Sequence, residues 1–340
     1  MKEIIERLTV GEELQKHEIQ TAMGYLFSED ITDSEISAFL IGLKAKGETV
    51  GEIAGLVDGI RANSLPFKKV IPNVMDNCGT GGDGLKTFNV SSTSAFVIAA
   101  AGIPVAKHGN RSVSSKTGSA DVLEELGIQL NLSSERLEEI LEEVGIAFLY
   151  APNVHPNIKR IQKVRKDLGV PTVFNLLGPL MNPVDLDTQF LGVYRRDLAP
   201  MFANVLKALG RKRAVVLNGA GSMDEASLQG ENYLVLLENG EITEKTLHPE
   251  QVGLPVYPNE AIVGGYANEN AEILRNVLKG KKGAHRDTVL LNAGIGIYVG
   301  GKVVSIEEGV RAAEEMIDSG AAYEKLQGLI QASKMKSEVI

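Results

Sequence analysis

Downstream of Val70 the chain alternates short, β-favouring apolar runs with segments of helical period, and this alternation restricts the fold more than any other feature. Residues 74–77, 104–107, 146–150, 189–194, 214–218 and 233–237 have the length and composition of strands. Between and after them, residues 91–101, 119–126, 156–168, 198–209, 268–278, 306–319 and 322–330 read as helices, and Ser133 or Ser134 caps another that runs to Val144. Pro156 suits the first turn of its helix, and Gly169 suits the end. Strands separated by helices need crossover connections, so the expected core is an α/β fold with a mostly parallel sheet flanked by helices. Glu238-Asn239-Gly240 signals a hairpin turn. Residues 171–183 (PTVFNLLGPLMNP) read as a structured connection. Residues 292–301 carry Gly294, Gly296, Gly300 and Gly301, and taken alone they read as a glycine loop.

Before Val70 no strand is expected. Leu14, Ile19, Met23 and Leu26 recur at roughly helical spacing, as do Ile36, Phe39, Leu40 and Leu43. Asp33 and Thr49 stand where N-caps belong, and Gly47 stands where a helix should stop. Four short helices form a smaller all-helical N-terminal unit, too small to bury its own apolar faces. Its partner is either the rest of the chain or a second copy of itself.

With 340 residues, 44% of them apolar, the chain can bury a sizeable core as one large or two modest domains. A net charge of −9 argues against a sequence-independent nucleic-acid binder, which needs a broad basic face. Cys78 is the single cysteine, so neither an intrachain disulfide nor a cysteine-based metal cluster can form. The first residues alternate in charge and lack the apolar core of a signal peptide, and no run nears the ~18 apolar residues of a membrane span. A soluble cytoplasmic protein is expected, with no nucleic acid and no membrane among its partners.

Against that acidic background, residues 77–127 stand out. No acid lies between Asp83 and Asp121, while Lys86, Lys107, Arg111 and Lys116 are basic and Gly, Ser, Thr and Asn fill much of the remainder. Glycines let backbone N–H groups converge on an anion, hydroxyls and amides donate to it, and cations neutralise it, so a phosphorylated ligand is indicated. Gly79, Gly81 and Gly84 match G-x-G-x-x-G, yet a dinucleotide fold needs an acid ~20 residues on, where this chain has Gly102-Ile103-Pro104. No G-x-x-x-x-G-K-[ST] pattern occurs, which excludes a P-loop. A tight turn without a ligand stays open for residues 79–84 alone. Asn89, Ser91 and Ser92 at an expected helix N-terminus, followed by residues 107–115 with two cations and several hydroxyls, shift the balance toward an anion site.

The segments GTGGDG, TFNVSS and PVAKHGNRSVSSKTGSADVLEELG, then APNVHP, VRKDLG, NLLGPLMNP and GSMDEAS, resemble the anthranilate phosphoribosyltransferase family in order and spacing, over nearly the whole chain. The resemblance implies transfer of a phosphoribosyl group from phosphoribosyl pyrophosphate (PRPP) to the amino group of anthranilate. Pyrophosphate leaves, N-(5-phosphoribosyl)anthranilate forms, and the step belongs to tryptophan biosynthesis. Gly79 matches a position against both substrates. Gly82, Asp83, Thr87, Asn89, Val90, Ser91 and Ser92 match PRPP-binding positions, and Ser92 replaces the threonine more usual there. Lys107, His108, Gly109, Asn110, Arg111, Ser112, Val113, Ser114, Ser115 and Ser119 match the remaining PRPP shell, His108 acting from behind the loop.

Asn110 and Arg165 match positions that contact anthranilate, Arg165 pairing with its carboxylate. Without the resemblance, Arg165 is one cation in a basic helix face with Lys159, Arg160, Lys163 and Lys166. Asp224 and Glu225 match ligands of Mg²⁺ carried by the pyrophosphate, with Ser91 on another ion. Adjacent carboxylates can share a metal only where the backbone is irregular. His155 also falls on a family position. For residues 292–301 the resemblance implies a helix in which glycines allow close packing.

It further implies a homodimer. Residues 1–70, with a segment about 165–185, would form a small helical dimerisation domain. Residues 71–164 and 186–340 would form a large α/β domain that binds PRPP. The reaction would proceed through an oxocarbenium-like transition state with inversion, needing no general base because an aromatic amine is already neutral at pH 7. Two alternatives remain: a pyrimidine-nucleoside phosphorylase-like enzyme, whose loop motifs differ, and a non-catalytic nucleic-acid-binding paralogue, which the charge balance disfavours.

Overall fold

In the computed structural model, residues 1–111 and 117–334 are described. Four helices come first: α1 (Lys2–Thr9), α2 (Lys16–Leu26), α3 (Asp33–Lys46) and α4 (Val50–Ala62). Thr49 caps α4 as expected, but the cap of α3 is Thr32 rather than Asp33. Thr32 and Glu35 satisfy each other's backbone N–H at 3.0 and 3.2 Å, a reciprocal pairing that places Asp33 inside the helix. Gly47 ends α3 at φ 87, open to glycine because it has no Cβ.

The rest of the chain runs β1 (Met75–Gly79), α5 (Val90–Ala100), β2 (Val105–Gly109), α6 (Ser119–Glu125), α7 (Ser134–Val144), β3 (Ile146–Tyr150), α8 (Ala151–Val154), α9 (Lys159–Leu168), α10 (Phe174–Leu177) and β4 (Thr188–Gly192). It continues with α11 (Ala199–Ala208), β5 (Arg213–Asn218), β6 (Asn232–Glu238), β7 (Glu241–Leu247), α12 (Ala267–Leu278), α13 (Ala284–Val299), α14 (Ile306–Asp318) and α15 (Ala321–Lys334). One sheet of seven strands has the order β3-β2-β1-β4-β5-β6-β7; its first four pairings are parallel and its last two antiparallel. Asn239 and Gly240, at φ 52 and 79, turn β6 into β7, a strand absent from the expected set. Its residues are mostly exposed and polar, so no apolar pattern marks it. The helix expected from Pro156 onward begins as a 3₁₀ turn, Pro156–Ile158, before α9.

Side chains that alternate across the sheet separate two apolar clusters. Val215, Leu217, Leu234 and Leu236 face a cluster formed with α5, α7, α13 and α14. Ala214, Val216, Val235 and Leu237 face the other, shared with α1 to α4, α11 and apolar residues between Ile158 and Met181. The N-terminal helices thus bury their apolar faces against this same chain. Within them, fully buried Glu52 accepts from Lys46 Nζ at 2.7 Å and the Leu14 amide at 2.9 Å, so its charge is paired.

Residues 292–299 are helix, as the resemblance implies, and not the loop that the glycines suggest. A Cβ on Gly294 would stand within 2.7 Å of Val310, and one on Gly296 or Gly300 would collide with Ile98 or Ile103. Gly309 of α14 rests on the Gly294 backbone, so a glycine on each helix allows the two axes to come close. Gly309→Val should therefore destabilise the protein by about 1–3 kcal/mol in chemical denaturation, since backbone cannot yield as a side chain can. An unchanged midpoint would show that the crossing has slack.

Candidate active site

β1, β2, β4 and β5 are parallel, so their C-terminal ends open on one edge of the sheet. The chain leaves β1 toward β2 on one side and β4 toward β5 on the other, so the crevice for a ligand lies between β1 and β4. There Gly79 is paired with Gly192. A Cβ on either would run into Asp224, whose side chain and carbonyl fill the space above both. Asp224 reaches this point because the turn after β5 is irregular: Gly219 bridges Met223, and Gly221 and Ser222 take φ 78 and 61. The irregular backbone required for neighbouring carboxylates to act together is therefore present.

Asp224 Oδ2 accepts from the Gly81 amide at 2.6 Å, and Glu225 Oε1 accepts from the Ser91 amide, at the start of α5, at 3.2 Å. Both residues are buried. Burial, then the charges of Glu225 and Asp83, pushes the Asp224 carboxyl well up. Burial likewise pushes Glu225 up to about 7, against the pull of Lys107 and Ser91. One Asp83 oxygen is buried without a hydrogen-bond partner among the described residues. This crowd of oxygen donors suits a hard divalent cation, which would relieve the repulsion. Among the described residues no group of three or more Asp, Glu, His or Cys is arranged to hold a metal, so Asp224 and Glu225 would act as a pair beside phosphate and water oxygens.

The stretch without acids in sequence is not without them in space. Arg111 is ion-paired with Asp121 at 2.9 Å and Glu124 at 2.8 Å, and its guanidinium lies over the Tyr150 ring. Lys107 is buried and donates to the Asn77 carbonyl at 2.5 Å, between Asp76 and Glu225. Lys86 is exposed at φ 56. Ser112, Val113, Ser114, Ser115 and Lys116 lie outside the described residues. Gly82 (φ 89) lies under the Tyr194 ring, Thr87 bridges Val263, and Asn89 caps α5 without a side-chain bond to it. Val90 and Ser92 are buried, and Ser92 Oγ has no partner among the described residues. Gly109 abuts Ser119, whose hydroxyl donates to the exposed Asn110 carbonyl at 3.3 Å.

Arg165 lies apart from these loops. It contacts Asn175 Oδ1 at 3.4 Å and the Phe174 ring at 5.3 Å, and no described carboxylate pairs with it. Burial lowers its pKa, the mark of a cation short of a counter-ion. Residues 174–182 link it to the sheet. The Gly178 carbonyl accepts from His108, the Pro179 carbonyl from Gln189 at 2.6 Å, and Asn182 donates to Asp76 at 3.0 Å. Asp76, fully buried and pushed up to about 6 by burial, also accepts from the His108 amide at 3.2 Å. Asp76, Asn182 and Tyr194 were not singled out by sequence. An acid at the end of an apolar strand and an asparagine before Pro183 were the available signals.

His108 and His155 meet Nε2 to Nε2 at 3.1 Å. One of the two nitrogens carries a proton and the other accepts it, so the contact is a bond between two neutral rings. Ser64 Oγ lies 2.6 Å from His155 Nδ1 and donates to the Ile60 carbonyl at 2.8 Å. Burial holds His108 down at about 3 and His155 at about 4. Depressed histidines leave the unfolded chain with more bound protons between about pH 4 and 6.5, so their share of stability is lost as pH falls through that window. The raised carboxyls Asp76 and Glu225 slope the other way. His155→Gln should remove part of the acid loss, making its destabilisation relative to wild type smaller at pH 5 than at pH 7.5 by denaturant titration. A constant difference across that range would refute the neutral pair.

Residues 71–323 match the "Glycosyl transferase family, a/b domain" and residues 2–64 the "Glycosyl transferase family, helical bundle domain". The chain is 55% identical to an anthranilate phosphoribosyltransferase of Bacillus cereus (strain B4264) over 99% of both chains, and 54% identical to that of Bacillus anthracis (strain A0248) over the same shares. It superposes on the crystal structure of anthranilate phosphoribosyltransferase from Thermus thermophilus with a TM-score of 0.92 and 40% identity, covering 98% of this chain and 99% of that one. For the Saccharomyces cerevisiae enzyme in complex with PRPP and Mg the TM-score is 0.88, at 27% identity over 97% of each chain. The chain therefore belongs to the anthranilate phosphoribosyltransferase family.

Proposed function

We propose that the chain transfers the phosphoribosyl group of PRPP to the amino group of anthranilate, releasing pyrophosphate, in tryptophan biosynthesis. The observation that carries this reading is the convergence of the loop after β1, the start of α5 and the Asp224–Glu225 pair on one crevice. Gly79, Gly82, Asp83, Thr87 and residues 89–92 cradle the donor, together with Lys107, Gly109, Asn110, Arg111, Ser119 and residues 112–115. His108 supports them from behind through His155 and Ser64. Arg111 would exchange Asp121 and Glu124 for phosphate, an exchange its 43% exposed side chain permits.

Asp224 and Glu225, with Ser91, would hold Mg²⁺, which when bound supplies positive charge for the departing pyrophosphate. The chain's own part is to fix the donor, keep its leaving group among backbone amides and cations, and present the amine at C1 of the ribose. Arg165, short of a counter-ion, takes the anthranilate carboxylate, and Asn110 and Gly79 face the same substrate. No residue is needed as a general base.

Incubation with PRPP, Mg²⁺ and anthranilate should consume anthranilate fluorescence only when PRPP is present; equal loss without it would sink the assignment. In the same assay Arg165→Ala should raise KM for anthranilate at least about tenfold while changing KM for PRPP little. Equal rises in both constants would make Arg165 structural. Because Glu225 is held up near 7, Mg²⁺ competes with a proton below that pH. Half-saturating Mg²⁺ should fall about tenfold between pH 6 and pH 8. A flat profile would count against Glu225 as a ligand.

The helical unit of residues 1–70, joined by a segment about 165–185, would pack against the α/β body of residues 71–164 and 186–340 and form a homodimer. Exposed Tyr25 and Ile41 on α2 and α3 support an interface there. Sedimentation as a monomer at micromolar concentration would overturn it. No helix among the described residues is long and apolar enough to cross a membrane, and a cytoplasmic location accords with these soluble substrates.

A further inference from the structure

Asn270, in the first turn of α12 and 3% exposed, bonds at both ends of its amide. Its Oδ1 accepts from the Gly265 backbone N–H at 2.8 Å. A backbone N–H can only donate, so the oxygen and nitrogen of this amide are assigned by chemistry. Its Nδ2 therefore faces Asn89 at 3.0 Å and donates to Asn89 Oδ1. The orientation of the second amide follows from the first. Asn89 has its oxygen engaged toward α12 and its NH2 directed elsewhere, and among the described residues nothing accepts from that NH2. An asparagine at a helix N-cap ordinarily turns its oxygen onto the first amides of the helix. Asn89 makes no such cap on α5, because Asn270 has taken the oxygen.

Residues 262–265, which precede α12, are fastened to the donor loop along their length. The Phe88 amide donates to Ile262 at 3.0 Å, the Gly264 amide donates to Lys86 at 2.9 Å, and Thr87 bridges Val263. A Cβ on Gly264 would stand 2.5 Å from Asn270 Oδ1 and 2.8 Å from Phe88, so the approach is as close as backbone allows. On the other side Thr117 Oγ1 donates to the Gly265 carbonyl at 3.0 Å, where residues 112–116 end. The strap thus joins the donor loop to Thr117, and Asn270 locks it to the Asn89 side chain.

We infer that Asn270 is a positioning residue for the phosphoribosyl donor: it fixes the Asn89 amide so that an NH2, and not an oxygen, is offered to the anion. This rests on the reading that Asn89 contacts PRPP. An inverted amide would present a lone pair to phosphate oxygens, replacing attraction by repulsion.

The test is a double-mutant cycle on the full-length enzyme, read as KM for PRPP and KM for anthranilate. Asn270→Asp keeps the acceptor for Gly265 but puts an oxygen against Asn89 Oδ1. It should raise KM for PRPP at least about tenfold and leave KM for anthranilate within twofold. Asn270→Ala, which removes the donor to Asn89 together with the acceptor for Gly265, should show the same selectivity at smaller size and serves if the aspartate variant folds poorly. Asn89→Ala alone should raise KM for PRPP, and adding Asn270→Asp to it should cost nothing more. If Asn89→Ala raises KM for PRPP but the two changes multiply, Asn270 does not act through Asn89 and the inference falls. If Asn89→Ala leaves KM for PRPP unchanged, the reading of Asn89 falls and takes the inference with it. Equal rises in both KM values for the Asn270 variants would reduce it to a packing role and also overturn the inference.

Discussion

The site depends on a single close approach. Where β1 and β4 end side by side, Gly79 and Gly192 leave a gap with no Cβ on either strand, and Asp224 occupies it. The sheet order opens a crevice at this point, because the chain leaves β1 and β4 in opposite directions. A carboxylate lodged there is desolvated and crowded by Glu225 and Asp83, and both effects raise its pKa. The fold thus holds negative charge in a place where only a cation, or a proton, can relieve it. Backbone amides of Gly81 and Ser91 steady the pair without neutralising it.

Beneath the crevice lies a second set of buried polar groups that ties the helical side of the molecule to the sheet. Asp76, Asn182, Gln189 and Arg211 bond one another or the segment at residues 174–182, and His108 joins the same segment through Gly178. Each is buried, so each must find its partners inside, and the geometry of those partners is fixed in consequence. The segment that holds Phe174 and Asn175 against Arg165 is the one bonded to Asp76 and His108. A cation far from the glycine loop in sequence is thereby held in register with the strands that carry it.

Much of this was legible beforehand because local and global signals agree. Period-2 and helical runs give six of the seven strands. The exceptions have physical causes. β7 escapes because five of its seven residues are exposed and polar, which leaves no apolar alternation to mark it. Residues 292–301 look like a loop because helix propensity penalises glycine, but contact with Val310, Ile98 and Ile103 overrides propensity. Asp33 looks like a cap because any acid before a helix does; the reciprocal Thr32–Glu35 pair decides otherwise. The acid-free stretch misleads about Arg111, since Asp121 and Glu124 return to it one helix later. Roles that depend on which way an amide faces, as at Asn89, leave no trace in sequence.

The central claim is that the Gly79–Gly192 gap seats Asp224 and so builds the donor site. Calorimetric titration of Gly192→Ala with PRPP in the presence of Mg²⁺ tests it most directly. An added methyl would collide with the Asp224 backbone, so affinity should fall at least about tenfold with the far-ultraviolet circular dichroism unchanged. Binding as tight as in the unaltered protein would mean that the gap is incidental, and the account would fail.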